Sequence, residues 1–286
     1  MNKQISFSGK GSRADIGDMT IFRILPNRYA DAVGPFVFLD HIAPKIHTSL
    51  SKSKTSAHPH RGIATLTYVV NGEDTHLDSA GNHATVYSGG VQWMKAGNGI
   101  IHDESLSFDT KTESKLTHGF QFWINLPSRN KAENPEYLAI QKDEVAQKIL
   151  SDERGWLKII AGKYEDIPSS IPEYTEQFIY HIQLNGGKQI RLEFIDEIEV
   201  AAFLPLQSMM INDQEFEAGD FIEFDRKGGT VEIRNHEEMA VDIILFGGEH
   251  YAEPIIAQGP FVMNTQQEIS EAYLDFYDGK YGEIKY

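Results

Sequence analysis

Two short groups among the eleven histidines of this 286-residue chain have the spacing to do chemistry together. His58-Pro59-His60 sets two imidazoles at i and i+2. On an extended segment such residues point to one face, about 6.6 Å apart along the chain, near enough to converge on one ion. Pro59 biases His58 towards extended geometry and removes a ladder donor, which puts the segment at a sheet edge or barrel mouth. His102-Asp103-Glu104 repeats the spacing, with Asp103 facing away. Together the groups offer three neutral nitrogen ligands and one carboxylate. That set suits Fe, Cu, Ni or Zn rather than Mg or Ca, which take all-oxygen shells. On an octahedral ion these four ligands leave positions for a substrate and dioxygen. One bound carboxylate leaves a divalent ion formally positive, which favours an anionic or enolate ligand. A lone His in a β-rich chain is ordinarily a packing or surface residue, and a single His-x-His carries little weight. Two i, i+2 pairs, each beside glycine-containing turn sequence, carry more.

The elements that must position these residues are short strands punctuated by turns. ATLTYVV (64–70) is rich in β-branched residues and runs into Asn71-Gly72, a pair suited to a two-residue hairpin. HLD and HATVYS flank a second turn at 79–82, and VQWMKA and GFQFWINL continue the series to Leu126. Pro127 and the polar SRNKAENPE have no apolar period, so 127 to about 140 reads as a linker. KDEVAQKIL (142–150) reads as a short helix, after which strands resume from WLKIIAG to AVDIILFGG. Two strand-rich halves predict an all-β protein of two tandem barrels, with domains at 1–130 and 140–286. The tail differs: Thr265-Gln266-Gln267-Glu268 is a capping box, Ile269, Ala272, Tyr273 and Phe276 follow at helical spacing, and Gly279 is placed to stop the helix.

Composition bounds the function. Hydrophobic residues at 41 % are ordinary for a globular chain that buries its own cores. The formal net charge of −16 opposes direct binding to nucleic acid or to anionic membrane surfaces. The absence of cysteine excludes disulfides, thiolate metal sites and cysteine nucleophiles. The N-terminus lacks the apolar core of a secretory signal, and no apolar run approaches the ~18 residues of a membrane span. A cytoplasmic protein is expected. Gly9-Lys10-Gly11-Ser12-Arg13-Ala14 loosely fits a dinucleotide fingerprint but lacks βαβ context and is set aside.

The run HPHRGIATLTYVVNGEDTHLDSAGNHATVYSGGVQWMKAGNGIIHDE resembles the metal-binding core of the pirin family, within the cupin superfamily. FRILPNRYADAVGPFVFLDHIAP, HGFQFWINLP and EPIIAQGPFVMNTQQEISEAYLDFYDGKYG extend the likeness over nearly the whole chain. The resemblance implies two cupin (jelly-roll) barrels, the first binding metal and the second metal-free, where His181, His236 and His250 are scattered. It puts the metal ligands on His58, His60, His102 and Glu104, the carboxylate two residues after the third His. Other cupins carry it shortly after His-x-His, where Ala64 and Thr65 stand here. Fe(II) is the ion implied first, with Cu, Ni, Zn or Mn as alternatives. The implied activity is cleavage of flavonols such as quercetin by dioxygen with release of carbon monoxide, Glu104 taking the substrate hydroxyl proton. Phe36, Phe38, Trp93 and Phe122 could wall a planar substrate but read first as barrel core, and His76, His83 and His118 read as packing or solvent-facing residues. Eukaryotic pirins supply a second expectation, an iron-containing regulator that acts through protein partners rather than by turnover.

Overall fold

The computed structural model describes residues 1–17, 19–49, 53, 54 and 56–286. The chain is all-β, and its α-helix, Gln266–Tyr277, lies near the C-terminus. It forms two compact units. One contains 13–23, 36–144 and 252–286; the other contains 1–12, 24–35 and 145–251.

In the unit that holds the two histidine groups, one antiparallel sheet runs Glu136–Ile140, Val91–Lys95, Ile63–Asn71, Leu116–Asn125, Phe36–Ile46. Along its strands every second side chain enters an apolar layer, which includes Leu39, Leu66, Trp93 and Phe122, all at most 1 % exposed. The second sheet contains Ile100–Ser107, Glu73–Asp78 and His83–Tyr87, with His58–His60 paired to Ile100–Ser107. The turn at 79–82 closes a true hairpin, the Asp78 carboxylate accepting from the Ala80 and Asn82 amides. Asn71-Gly72 does not. There the chain leaves the first sheet and enters the second, because Ile63–Asn71 finds better partners in Val91–Lys95 and Leu116–Asn125.

The other unit has a seven-stranded sheet from Ile5–Lys10 through Asp220–Phe224 and Val241–Glu249 to Gln147–Leu150, and a four-stranded sheet with Gln189–Phe194 at its edge. A core that includes Leu157, Ile182, Val200, Val231 and Leu245 fills the unit. Among the described residues, no helix is long and apolar enough to cross a membrane.

Three further expectations change. The stretch 142–150 is a short 3-10 turn, Lys142–Glu144, followed by a strand, Gln147–Leu150. Its pairing with Gly155–Ala161 outweighs a local helix preference of a few tenths of a kcal/mol per residue. The expected linker contains the strand Glu136–Ile140, paired along its whole length with Val91–Lys95. The grouping also differs from the division at 1–130 and 140–286, because each end of the chain sits with the more distant half. Ile5–Lys10 pairs with Asp220–Phe224. Phe261, Met263, Ile269, Ala272 and Tyr281 form one apolar cluster with Ile101 packed against it.

Lys131 ties this tail down. Its buried ammonium donates to the Gly62 carbonyl at 2.8 Å, Asn125 Oδ1 at 2.6 Å and the Val262 carbonyl at 2.8 Å. Replacing it by Met orphans buried acceptors, at about 1–3 kcal/mol for each one left unpaired. Lys131→Met should therefore lower the denaturation midpoint. Burial also pulls the ammonium down to about 7, so between pH 7 and its ordinary 10.5 the unfolded chain binds more protons than the folded one. Parent stability should gain from this residue as pH rises across that window, and a Lys131→Met protein, compared by chemical denaturation at pH 7 and 9.5, should lack that gain.

Candidate metal centre

Antiparallel pairing aligns the two histidine groups: His58 stands opposite His102, Pro59 opposite Ile101 and His60 opposite Ile100. Pro59 falls at the middle of this three-residue edge segment, where its missing N–H is tolerated. The i, i+2 period then sends His58, His60 and His102 to one face. One nitrogen from each lies within 4.8 Å of the other two, and the ring centroids are 4.4–5.0 Å apart.

Two of the three rings are fixed by what their Nδ1 does. The His58 Nδ1–H donates to the Ser56 carbonyl at 2.8 Å, and the His60 Nδ1–H donates to the Pro260 carbonyl at 3.1 Å. His58 Nε2 is left 3.1 Å from His102 Nε2, and His60 Nε2 is buried with no partner. Burial first, and neighbouring imidazoles second, lower His60 to about 3 and hold His102 well below its usual value. Both are neutral near pH 7, the state in which an imidazole binds a metal. Three imidazole nitrogens within 4.8 Å of one another, among them the buried and unpartnered His60 Nε2, fit a borderline divalent ion.

The tail reaches this face because two glycines give way to it. Gly62, just after His60, has φ +82°, and a Cβ there would stand 2.0 Å from the Val262 carbonyl oxygen. Gly99, just before Ile100–Ser107, has φ +127°, and a Cβ there would stand 2.1 Å from the Tyr281 ring. Arg61 completes the attachment through Asp275 at 2.6 Å.

Glu104 lies one step deeper. Its Oε1 is 3.8 Å from His102 Nδ1 and accepts from Gln92 Nε2 at 3.0 Å and Thr67 Oγ1 at 3.4 Å; its Oε2 accepts from Gln121 Nε2 at 3.1 Å. It groups with His102 and His76, one ligand atom of each within 4.8 Å of the others, rather than with His58 and His60. Gln92 Nε2 also donates to Asp74 Oδ2 at 2.8 Å. Burial first, and then the charge of Glu104, push Asp74 well above the carboxylate range. Two full negative charges here would repel one another. Tyr137 donates its hydroxyl to Gln92 Oε1 at 3.1 Å and is likewise pushed upward by burial and by Glu104.

Phe36, Trp93 and Phe122 are buried in the apolar layer, Phe38 stacks on Trp123 at 4.2 Å, and none lines the cavity beside Glu104. The aromatic ring that does reach the imidazoles is Trp123, edge-on to His60 at 4.9 Å. Alternation would have found it: Gln121 and Trp123 share the strand face opposite the buried Phe120 and Phe122. His83 is exposed, and His118 pairs with His41 at 3.0 Å. His76 departs furthest from expectation, being fully buried beside His102 and Glu104.

The family description "Pirin" matches residues 19–124, and "Pirin C-terminal cupin domain" matches 179–282. A Pseudomonas aeruginosa protein named "Putative quercetin 2,3-dioxygenase" is 30 % identical over 98 % of this chain and 99 % of its own. "Pirin-1" of Arabidopsis thaliana is 32 % identical, covering 79 % of this chain and 77 % of its own. A crystal structure of quercetin 2,3-dioxygenase from Acinetobacter baumannii superposes with a TM-score of 0.91 at 29 % identity, covering all of both chains. With both of its units matched, and relatives aligned over nearly its full length, the chain belongs to the pirin family of two-barrel cupins.

Proposed function

We propose that this chain is a metal-dependent dioxygenase that cleaves flavonols such as quercetin, two oxygen atoms entering the ring system and one carbon leaving as carbon monoxide. The observation that carries the reading is the convergence of His58, His60 and His102, one nitrogen of each within 4.8 Å of the other two, with the His58 and His60 rings anchored on Ser56 and Pro260. His58, His60, His102 and Glu104 would hold one divalent ion, Fe(II) first and Cu, Ni, Zn or Mn as alternatives. The family names carried by the relatives support the substrate class. A cytoplasmic location goes with this reading.

A bound ion would supply Lewis acidity to the flavonol 3-hydroxyl and lower its pKa. Glu104 is the base within the cluster, and the amides of Gln92 and Gln121 hold its two oxygens so that the carboxylate cannot turn away. Burial and the neighbouring Glu104 push Asp74 well above the carboxylate range, which disfavours a second negative charge beside Glu104. Glu104→Gln keeps the size and an oxygen but removes the basicity. Turnover should fall by ~10²–10⁴-fold with metal content largely retained. Dioxygen uptake and metal analysis on the same preparation check this, and parent-rate turnover would refute the base assignment.

The ligand set also sets a stoichiometry. Metal analysis should give one ion per chain, and His102→Ala, which removes a residue from both clusters, should take occupancy well below that. Chelation should lower the melting temperature without unfolding the protein, because each unit has its own core; an ion at 100 times its Kd adds only about 2.7 kcal/mol. Global unfolding on chelation would contradict the two-core architecture as the source of stability.

One observation favours a second reading. The cavity lined by Thr67, Asp74, Glu104 and Gln121 is about 30 Å³, room for about one water rather than a ring system. An iron-containing regulator acting through protein partners needs no larger space. Metal-loaded protein that consumes no dioxygen across a flavonol panel would favour this role over the enzyme.

A further inference from the structure

His76 is prepared as a ligand in the same way as His58 and His60. Its Nε2–H donates to Asp78 Oδ2 at 3.0 Å, and its Nδ1 is buried with no partner. Tyr137 stacks on the ring at 4.1 Å and 9°, which fixes its plane. A carboxylate on one nitrogen and a bare lone pair on the other is the support pattern of metal-bound histidines. Beside it, His102 Nδ1 is also buried without a partner, and Glu104 Oε1 lies 3.8 Å from that atom.

We propose that His76, His102 and Glu104 form a second, inner position for the divalent ion, occupied in alternation with the outer position that His58, His60, His102 and Glu104 would hold. The inference rests on the metal-binding reading above. Two imidazoles and one carboxylate with free positions form the donor set suited to Fe(II). The heavy-atom contacts fit this position with neutral rings. His58 donates through Nδ1, so its Nε2 can only accept, and the 3.1 Å contact then requires His102 to donate through Nε2. That tautomer leaves the His102 Nδ1 lone pair facing His76 and Glu104. For the outer position His102 must move its proton from Nε2 to Nδ1. A neutral imidazole has one lone pair, so His102 serves one position at a time and the stoichiometry stays at one.

Co(II) titrated into metal-stripped protein, followed by visible absorption and by metal content after desalting, tests the proposal. His58→Ala/His60→Ala should still bind one equivalent, with an absorption spectrum different from that of the parent. Adding His76→Phe to that background, which keeps the stacking on Tyr137 but has no lone pair, should abolish binding. Adding Asp78→Asn instead should weaken it ~10–100-fold. Circular dichroism establishes that each variant is folded; should His76→Phe unfold, Asp78→Asn decides alone, and undiminished affinity there overturns the inner position. So does a double variant that binds no Co(II) while the parent does, a result that leaves the outer position intact. A parent protein that takes up no Co(II) overturns the metal-binding reading itself.

Discussion

A buried imidazole presents a lone pair only if its other nitrogen carries the proton and has an acceptor to receive it. The centre is built around that constraint. Ser56, Pro260 and Asp78 each receive one N–H, and each acceptance turns the ring's other nitrogen inward. Burial adds the second half, since charged rings packed centroid to centroid within 5 Å would repel one another in a poorly solvated space. The acceptors come from three separate parts of the chain, so the sheet, the hairpin at 79–82 and the tail all have to be in place before the rings are oriented.

The carboxylate end obeys a different constraint. Asp74 and Glu104 are both buried, and two full charges there would be costly. One amide, Gln92, donates to both carboxyl groups, and burial with the neighbouring Glu104 pushes Asp74 well above the carboxylate range. Tyr137, from the strand that sequence reading took for a linker, holds Gln92 in this orientation.

How much could be read beforehand follows the range of each interaction. His58, His60, His102 and Glu104 stand out because their i, i+2 spacing is local, and a strand converts it directly into a shared face. The strands between Ile63 and Asn125 were legible for the same reason. The hairpin expected at Asn71-Gly72 failed because a turn preference does not say which sheet the next strand joins. The helix expected at 142–150 and the linker before it failed because strand pairing with Gly155–Ala161 and Val91–Lys95 outweighed weak local preferences. His76 looked like any alternating strand residue, since Asp78 supports it only once the strand is extended and buried. The Pro260 carbonyl could not have been found: it lies 200 residues from the ring it orients, and a backbone oxygen has no signature in residue type.

That separation has a temporal consequence. During synthesis, residues 36–144 leave the ribosome long before residues 252–286, which pack with them. At roughly 5–20 residues per second, the intervening segment takes on the order of 5–20 s to emerge. For that interval Gly62, Gly99 and the buried end of Lys131 face a surface that the tail has yet to cover, and His60 has no acceptor for its Nδ1–H. An ion that arrives early meets a His60 ring free to rotate and to take either tautomer. The full arrangement of the rings is therefore a late product of translation, and it belongs to the finished chain rather than to the nascent half that carries them.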